Sequence, residues 1–287
     1  MQSTRIVREH GRRNAAKDPR QGEKMTAKVY LIGAGPGAAD LITVRGARLL
    51  ARASVVLHDA LVEPDMLALA PNARLIAVGK RCGRHSSAQH FINKQLVDAA
   101  QAQDDEQVVV RLKGGDPMLF GRADEEMRAL EAAGIDYDVV PGVTASLASA
   151  ASLKRSLTLR GVARSVVLAT RSRAADSDEI QRRADADSLV YYMGRDQAPD
   201  IAREMIEAGR DAATPAVVVE ACSTNRERSI TVTLRALADG ALADWFDASQ
   251  PCTLLIGDAF RQRAIRAEAP ASAEASAASK HEQGVAA

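Results

Sequence analysis

The chain has 287 residues, 46% of them hydrophobic, 26% charged and 3% aromatic, with a formal net charge of +1. So even a balance with so few rings argues against a nucleic-acid partner, which needs stacking aromatics or an excess of positive charge; an anionic small molecule must be met by locally clustered bases. Cys82, Cys222 and Cys252 are too few and too scattered for a disulfide framework or a paired-cysteine zinc site, no run approaches a membrane span, and the first 25 residues lack the apolar centre of a secretory signal, so no metal and no membrane are expected and the cytoplasm is the expected compartment.

Residues 1–27 carry no sustained apolar period, and 263–287 end in a small-residue, low-complexity tail; both are read as disordered. Between them, β-branched runs at 28–32, 54–58, 74–78, 107–111 and 136–140 read as buried strands. Helical patterns at 40–53 and 88–101 alternate with them, which implies a largely parallel sheet covered on both faces. A break at Pro141-Gly142 opens a second series of strands at 165–169, 189–193, 216–220, 229–233 and 252–256. Eight residues separate the third and fourth of these, too few for a helical crossover, so that pair is expected to be antiparallel and the second sheet mixed. The expected fold is therefore α/β with two α/β domains, 28–142 and 143–262.

Gly33-Ala34-Gly35-Pro36-Gly37-Ala38 follows the first strand and fits the loose dinucleotide fingerprint, with Asp59 at the end of the second strand where a ribose ligand would stand. Pro36 opposes that reading, because it has no N–H to offer a pyrophosphate. Gly79-Lys80-Arg81-Cys82-Gly83-Arg84-His85-Ser86 gathers bases on a glycine-broken loop after the third strand; it is either a solvated surface or a site for one anionic ligand. Lys113-Gly114-Gly115-Asp116-Pro117 leaves the carboxyl end of the fourth strand, where open α/β sheets bind ligands, and Pro117 is placed to start a helix. Pro141-Gly142-Val143-Thr144-Ala145-Ser146 opens a helix of small residues that allows close approach, and Met193-Gly194 closes a strand of the second series.

Taken in order, GAGPG, LHDALV, VGKRCGRHS, RLKGGDP, PGVTAS, YYMG and VVVEACST resemble the consecutive motifs of the tetrapyrrole methylase family over roughly residues 28–260, and GKR followed by GRHS is similar to the branch that methylates uroporphyrinogen III. The resemblance implies a homodimer whose two-domain subunits hold S-adenosylmethionine in the cleft between domains and release S-adenosylhomocysteine. It implies cofactor contacts at Pro36, Gly114, Gly115, Asp116, Leu119, Thr144, Ala145 and Met193, with Cys222 and Cys252 where the family has Gly or Ala. It assigns Asp59 as proton acceptor and Lys80 as proton donor, so Asp59 is no longer a ribose ligand. Arg81, Arg84, Lys113 and Arg160 become candidate partners for the carboxylates of a tetrapyrrole substrate.

The implied reaction is C-methylation of uroporphyrinogen III at two pyrrole carbons to give precorrin-2. The sequence departs from the family where its Thr-His-Arg is Thr158-Leu159-Arg160, where an Ala-Gly-Ile-Pro is Leu153-Lys154-Arg155-Ser156, and where a Thr-Gly-His is Thr170-Arg171-Ser172. Those changes leave open a paralogue acting on another corrin intermediate, or one that binds cofactor without catalysis; an NAD-binding oxidoreductase would explain only GAGPG and Asp59.

Overall fold

The computed structural model describes residues 26–78, 85–171 and 185–261, and of 85–88 the backbone alone. The described chain forms two compact units. One contains the residues up to Ser149 together with Ala221–Glu227; the other contains Ala150–Arg171, 185–220 and the residues from Arg228.

In the first unit the elements run β1 (Lys28–Gly33), α1 (Val44–Leu50), β2 (Ala53–His58), α2 (Pro64–Leu67), β3 (Arg74–Ala77), α3 (His85–Gln101), β4 (Val108–Lys113), α4 (Ala123–Ala132), β5 (Tyr137–Val140) and α5 (Ala145–Ser152), the last ending in the second unit. The strands form one sheet in the order β3-β2-β4-β1-β5, and every pair is parallel. Alternation along the strands splits the core into two layers. Val29, Leu31, Val55, Leu57 and Val109 face Ile92 and Leu96 of α3 and Leu130 of α4. Ile32, Val56, Val110 and Leu112 face Leu50 of α1 and Met66 of α2. Full burial of each such side chain contributes about 1.5–3 kcal/mol.

Three expectations need correction here. The helix read over 40–53 is only α1, because Thr43 caps it, its hydroxyl accepting from Gly46 N at 3.1 Å, and Ala53 already belongs to β2. Pro117 does not start a helix; α4 begins at Ala123. The third strand is an edge, with Arg74, Leu75 and Ala77 exposed, since only one neighbour pairs with it.

The second unit carries β6 (Val166–Thr170), β7 (Ser188–Tyr192), α6 (Ala198–Glu207), β8 (Pro215–Glu220), β9 (Arg228–Thr233), α7 (Leu234–Ala238) and β10 (Cys252–Ile256). Its sheet runs β6-β7-β10-β8-β9; β6 and β7 are parallel and the other pairs antiparallel, including the β8–β9 pair that its short connection demanded. Ile201 and Ala202 of α6 and Leu234 and Leu237 of α7 pack on Leu189, Val218 and Leu254.

At the carboxyl end of the first sheet, three backbones meet with no side chain between them. A Cβ on Gly33 would lie 2.6 Å from Cα and N of Gly142 and 2.7 Å from the carbonyl oxygen of Gly115, and one on Gly142 would lie 2.8 Å from Gly33 Cα and closer still to that oxygen. Gly35 and Gly115 pair as an isolated antiparallel bridge, each N–H donating to the other's carbonyl at 3.1 and 2.7 Å, and each at positive φ (79° and 69°).

Two consequences are measurable. Gly142→Ala should destabilise the protein by about 3 kcal/mol or more, because both clashing atoms are backbone and neither can rotate away. Gly114→Ala, whose Cβ would meet only Leu61 Cβ, at 3.5 Å, among the described residues, should stay within about 1 kcal/mol in the same thermal melts. In the second unit, burial and then Glu220 push the Cys252 thiol up from 9.0 to about 11. The folded state thus favours the neutral thiol. Its contribution is whole below pH 9 and is lost as the pH rises towards 11, so over that window the wild type should lose Tm relative to Cys252→Ala.

Candidate active site

The loops that leave β1, β4 and β5 come together because those strands are neighbours in a parallel sheet, with all three carboxyl ends on one side. Asp116 ties two of them. Its Oδ2 accepts from Gly142 N at 2.9 Å and its Oδ1 from Met118 N at 2.8 Å. Hydrogen bonds to a charged group contribute about 1.5–3 kcal/mol each. A fourth segment, Ala221–Thr224, lies on the β1 loop: Ser223 Oγ accepts from Ala38 N at 3.0 Å, and a Cβ on Gly37 would lie 2.6 Å from Thr224 Cγ2. Ala221 and Ser223 hold positive φ (48° and 63°), backbone strain of the kind that gathers at functional sites.

These contacts decide between two uses of the GAGPG loop. Of the five residues 34–38, Ala34 donates its N–H to Lys113 O at 2.7 Å, Gly35 to Gly115 O and Ala38 to Ser223 Oγ, while Pro36 has none, which leaves the N–H of Gly37 without an acceptor among the described residues. A pyrophosphate would find those donors already taken, and α1 starts only at Val44, well past the loop. Asp59 and Asp116 stand at the same end of the sheet, which also disfavours a polyanion. No described atom lies within 4 Å of the point where a Cβ of Gly115 would sit, so among the described residues that side of the Gly115 backbone is open. A cradle with one uncommitted N–H, that of Gly37, beside carboxylates fits a sulfonium-bearing zwitterion better than a dinucleotide.

Asp59 follows β2. Its N–H donates to Leu112 O at 3.2 Å, its Oδ2 accepts from Gly114 N at 3.3 Å, and its Oδ1 accepts from Arg111 Nη2; the side chain is 30% exposed. Behind it lies a buried charged cluster. Arg111 Nε donates to Glu126 Oε1 at 2.8 Å and Lys113 Nζ to Glu126 Oε2 at 2.8 Å, with Arg111, Lys113 and Glu126 at most 3% exposed. Strand alternation explains it: residues 109, 111 and 113 face the same layer, and Glu126 sits with Ala123 and Leu130 on the buried stripe of α4. Burial lowers the tendency of Arg111 to hold its proton, but Asp59 and Glu126 outweigh it and raise its pKa. For Lys113, burial and then Arg111 lower the pKa despite Glu126 and Asp59.

The placement of Lys113 corrects its expected role as a partner for substrate carboxylates. Its ammonium is turned into the unit against Glu126, because its position in β4 has inward parity. Arg111 and Glu126 escaped sequence reasoning, although a lone Arg within the apolar run of β4 was a visible signal.

In the first unit the structure brings together Pro36, Asp59, Gly114, Gly115, Asp116, Leu119, Thr144, Ala145 and Cys222 on or beside these loops. Cys222 is buried, and burial pushes its thiol up. Three others belong to the second unit. Met193 follows β7 at φ 54° and is half-exposed; Cys252 opens β10; and Arg160 is exposed in the Leu159–Ala163 turn. The departed Arg171 pairs with Glu204 at 2.8 Å. Lys80, Arg81 and Arg84 lie outside the described residues, as do Cys82, Ser172 and both chain ends.

Among known proteins, the chain is 42% identical over 240 residues to siroheme synthase 1 of Klebsiella pneumoniae, covering 82% of this chain and 50% of that one. It is 43% identical over 216 residues to the chloroplastic S-adenosyl-L-methionine-dependent uroporphyrinogen III methyltransferase of Arabidopsis thaliana, covering 73% of this chain and 58% of that one. The chain thus spans about half the length of the siroheme synthase it matches. Among solved structures it resembles the uroporphyrin-III C-methyl transferase of Thermus thermophilus complexed with S-adenosylhomocysteine, at 37% identity and a TM-score of 0.70, over 82% of this chain and 94% of that one. Residues 28–238 match the family described as Tetrapyrrole (Corrin/Porphyrin) Methylases, and the chain belongs to that family.

Proposed function

We propose that the protein methylates two pyrrole carbons of uroporphyrinogen III to give precorrin-2, with S-adenosylmethionine as methyl donor. The observation that carries this reading is the β1, β4 and β5 loop cradle, closed by backbone contacts and with three of the four N–H groups of residues 34–38 already bonded inside the protein, in a chain 37% identical to a uroporphyrin-III C-methyl transferase solved with S-adenosylhomocysteine. S-adenosylmethionine supplies, when bound, an electrophilic methyl group. Gly114, Gly115 and Asp116 would hold that cofactor in the first unit, with Pro36, Leu119, Thr144, Ala145 and Cys222 as further contacts by family resemblance; Met193 and Cys252 carry the same assignment by that resemblance alone.

The nucleophile is a pyrrole carbon, so the protein's part is to orient the two reactants and to steady the positive charge that alkylation leaves on the ring. Asp59 is the group for that task and for accepting the ring proton, being the one end of the buried cluster that reaches solvent. Lys80 returns a proton, and Arg81, Arg84 and Arg160 pair with the substrate's carboxylates. Cytoplasmic location rests on the few, scattered cysteines and a homodimer on the family resemblance; no helix among the described residues is long and apolar enough to cross a membrane.

Anaerobic incubation with uroporphyrinogen III and S-adenosylmethionine should yield a product heavier by two methyl groups with the absorbance of a dipyrrocorphin. Calorimetry should show binding of S-adenosylhomocysteine and none of NAD. An unmodified tetrapyrrole beside normal cofactor binding would sink the assigned activity, and tight NAD binding without response to S-adenosylhomocysteine would sink the site itself. The two aspartates should separate in the same experiments. Asp116→Ala, which frees Gly142 N and Met118 N, should raise the Kd of S-adenosylhomocysteine about tenfold or more. Asp59→Asn should lower kcat by about 100-fold and leave that Kd within about threefold.

A further inference from the structure

Arg111, Lys113 and Glu126 are charged and buried, and the reaction described above gives none of them a task. Their bonds run in one direction. Glu126 Oε2 is held by Lys113 and its Oε1 by Arg111 Nε, with Gln89 Nε2 at 3.4 Å from the same Oε1 and itself tied to Asn93 Oδ1 at 2.9 Å. Arg111 Nη1 donates to Leu112 O at 3.1 Å and to Leu57 O at 3.4 Å. A guanidinium is planar, so fixing Nε and Nη1 fixes where Nη2 points, and it points at Asp59 Oδ1. The opposite oxygen of Asp59 meets Gly114 N. The chain of contacts therefore starts at a fully buried carboxylate on α4 and ends at a part-exposed one beside the cofactor loop. Buried ion pairs are weak contributors to stability when compared with apolar packing, and fixing a specific arrangement is their better-attested use.

We propose that Glu126 is a positioning residue for Asp59: it fixes Arg111, and Arg111 fixes the direction of the Asp59 carboxylate at the reacting ring. The inference rests on the role given to Asp59 under the proposed function. Lys113 completes the balance, two cations against two anions, and keeps Glu126 from turning.

A double-mutant cycle in the full-length protein tests it, with kcat and KM for uroporphyrinogen III and the Kd of S-adenosylhomocysteine as readouts. Glu126→Gln should lower kcat 10- to 100-fold, with KM and the Kd within about threefold. Combined with Asp59→Asn it should be no slower than Asp59→Asn alone, because both remove the same arrangement. Should Glu126→Gln alone not fold, the charge-balanced Glu126→Gln/Lys113→Met variant serves, and its kcat should fall as far with cofactor binding kept. A parental kcat in either Glu126 variant would overturn the proposal, as would losses that multiply with Asp59→Asn. Failure of both variants to bind S-adenosylhomocysteine would make the cluster a folding element and overturn it too. A slow Glu126→Gln beside a parental Asp59→Asn would instead remove the role of Asp59, and the positioning claim with it; the methyltransferase assignment would stand if the product mass still rose.

Discussion

Three backbones at Gly33, Gly115 and Gly142 approach more closely than any side chain allows, and the geometry of the first unit's site follows from that approach. The sheet order places β5, β1 and β4 side by side, so their outgoing loops must either splay or interlock. Glycine at each crossing lets them interlock. Once they do, the N–H groups of Ala34 and Gly35 fall opposite the carbonyls of Lys113 and Gly115 and are satisfied there. A glycine-rich strand-to-helix loop is commonly read as an anion site; here the same glycines serve packing, and three of the loop's four N–H donors are spent inside the protein.

The sequence revealed the strands better than their surroundings. All ten β-branched runs became strands, and the short connection between β8 and β9, eight residues in the sequence reading and residues 221–227 in the structure, correctly forced an antiparallel pair, because chain reach is a hard limit that tertiary context cannot override. What failed depended on context. A run of apolar and basic residues from 40 to 53 has helical periodicity throughout, but Thr43 sets the start of the helix and the sheet claims Ala53. Leu75 and Ile76 look like core residues, yet an edge strand with one neighbour leaves Leu75 exposed.

The site was legible in a similar, partial way. Gly114, Gly115, Asp116, Thr144 and Asp59 could be singled out from their loops, since glycine turns and carboxylates after strands are visible as letters. Lys113 was misplaced by the same habit: a basic residue beside a ligand loop suggests a ligand partner, whereas its parity in β4 sends it inward to Glu126. Glu126 could not be found alone. It is one of three consecutive acids, Asp124, Glu125 and Glu126, at the start of α4, all suited to a helix N-terminus, and only the packing of α4 against the sheet shows which one is buried.

The spent donors of the β1 loop also bear on which molecules the protein admits. Adenosine is shared by S-adenosylmethionine and by ATP, and recognition of the nucleoside alone cannot tell them apart. A triphosphate entering this cradle would bring several negative charges to a loop whose N–H groups at Ala34, Gly35 and Ala38 are engaged, and to the neighbourhood of Asp59 and Asp116. It would lose hydration and find only the N–H of Gly37 uncommitted in that loop. Discrimination against nucleotides would then be built largely into the main chain, by how little the loop has left to offer, with Asp59 and Asp116 adding to it.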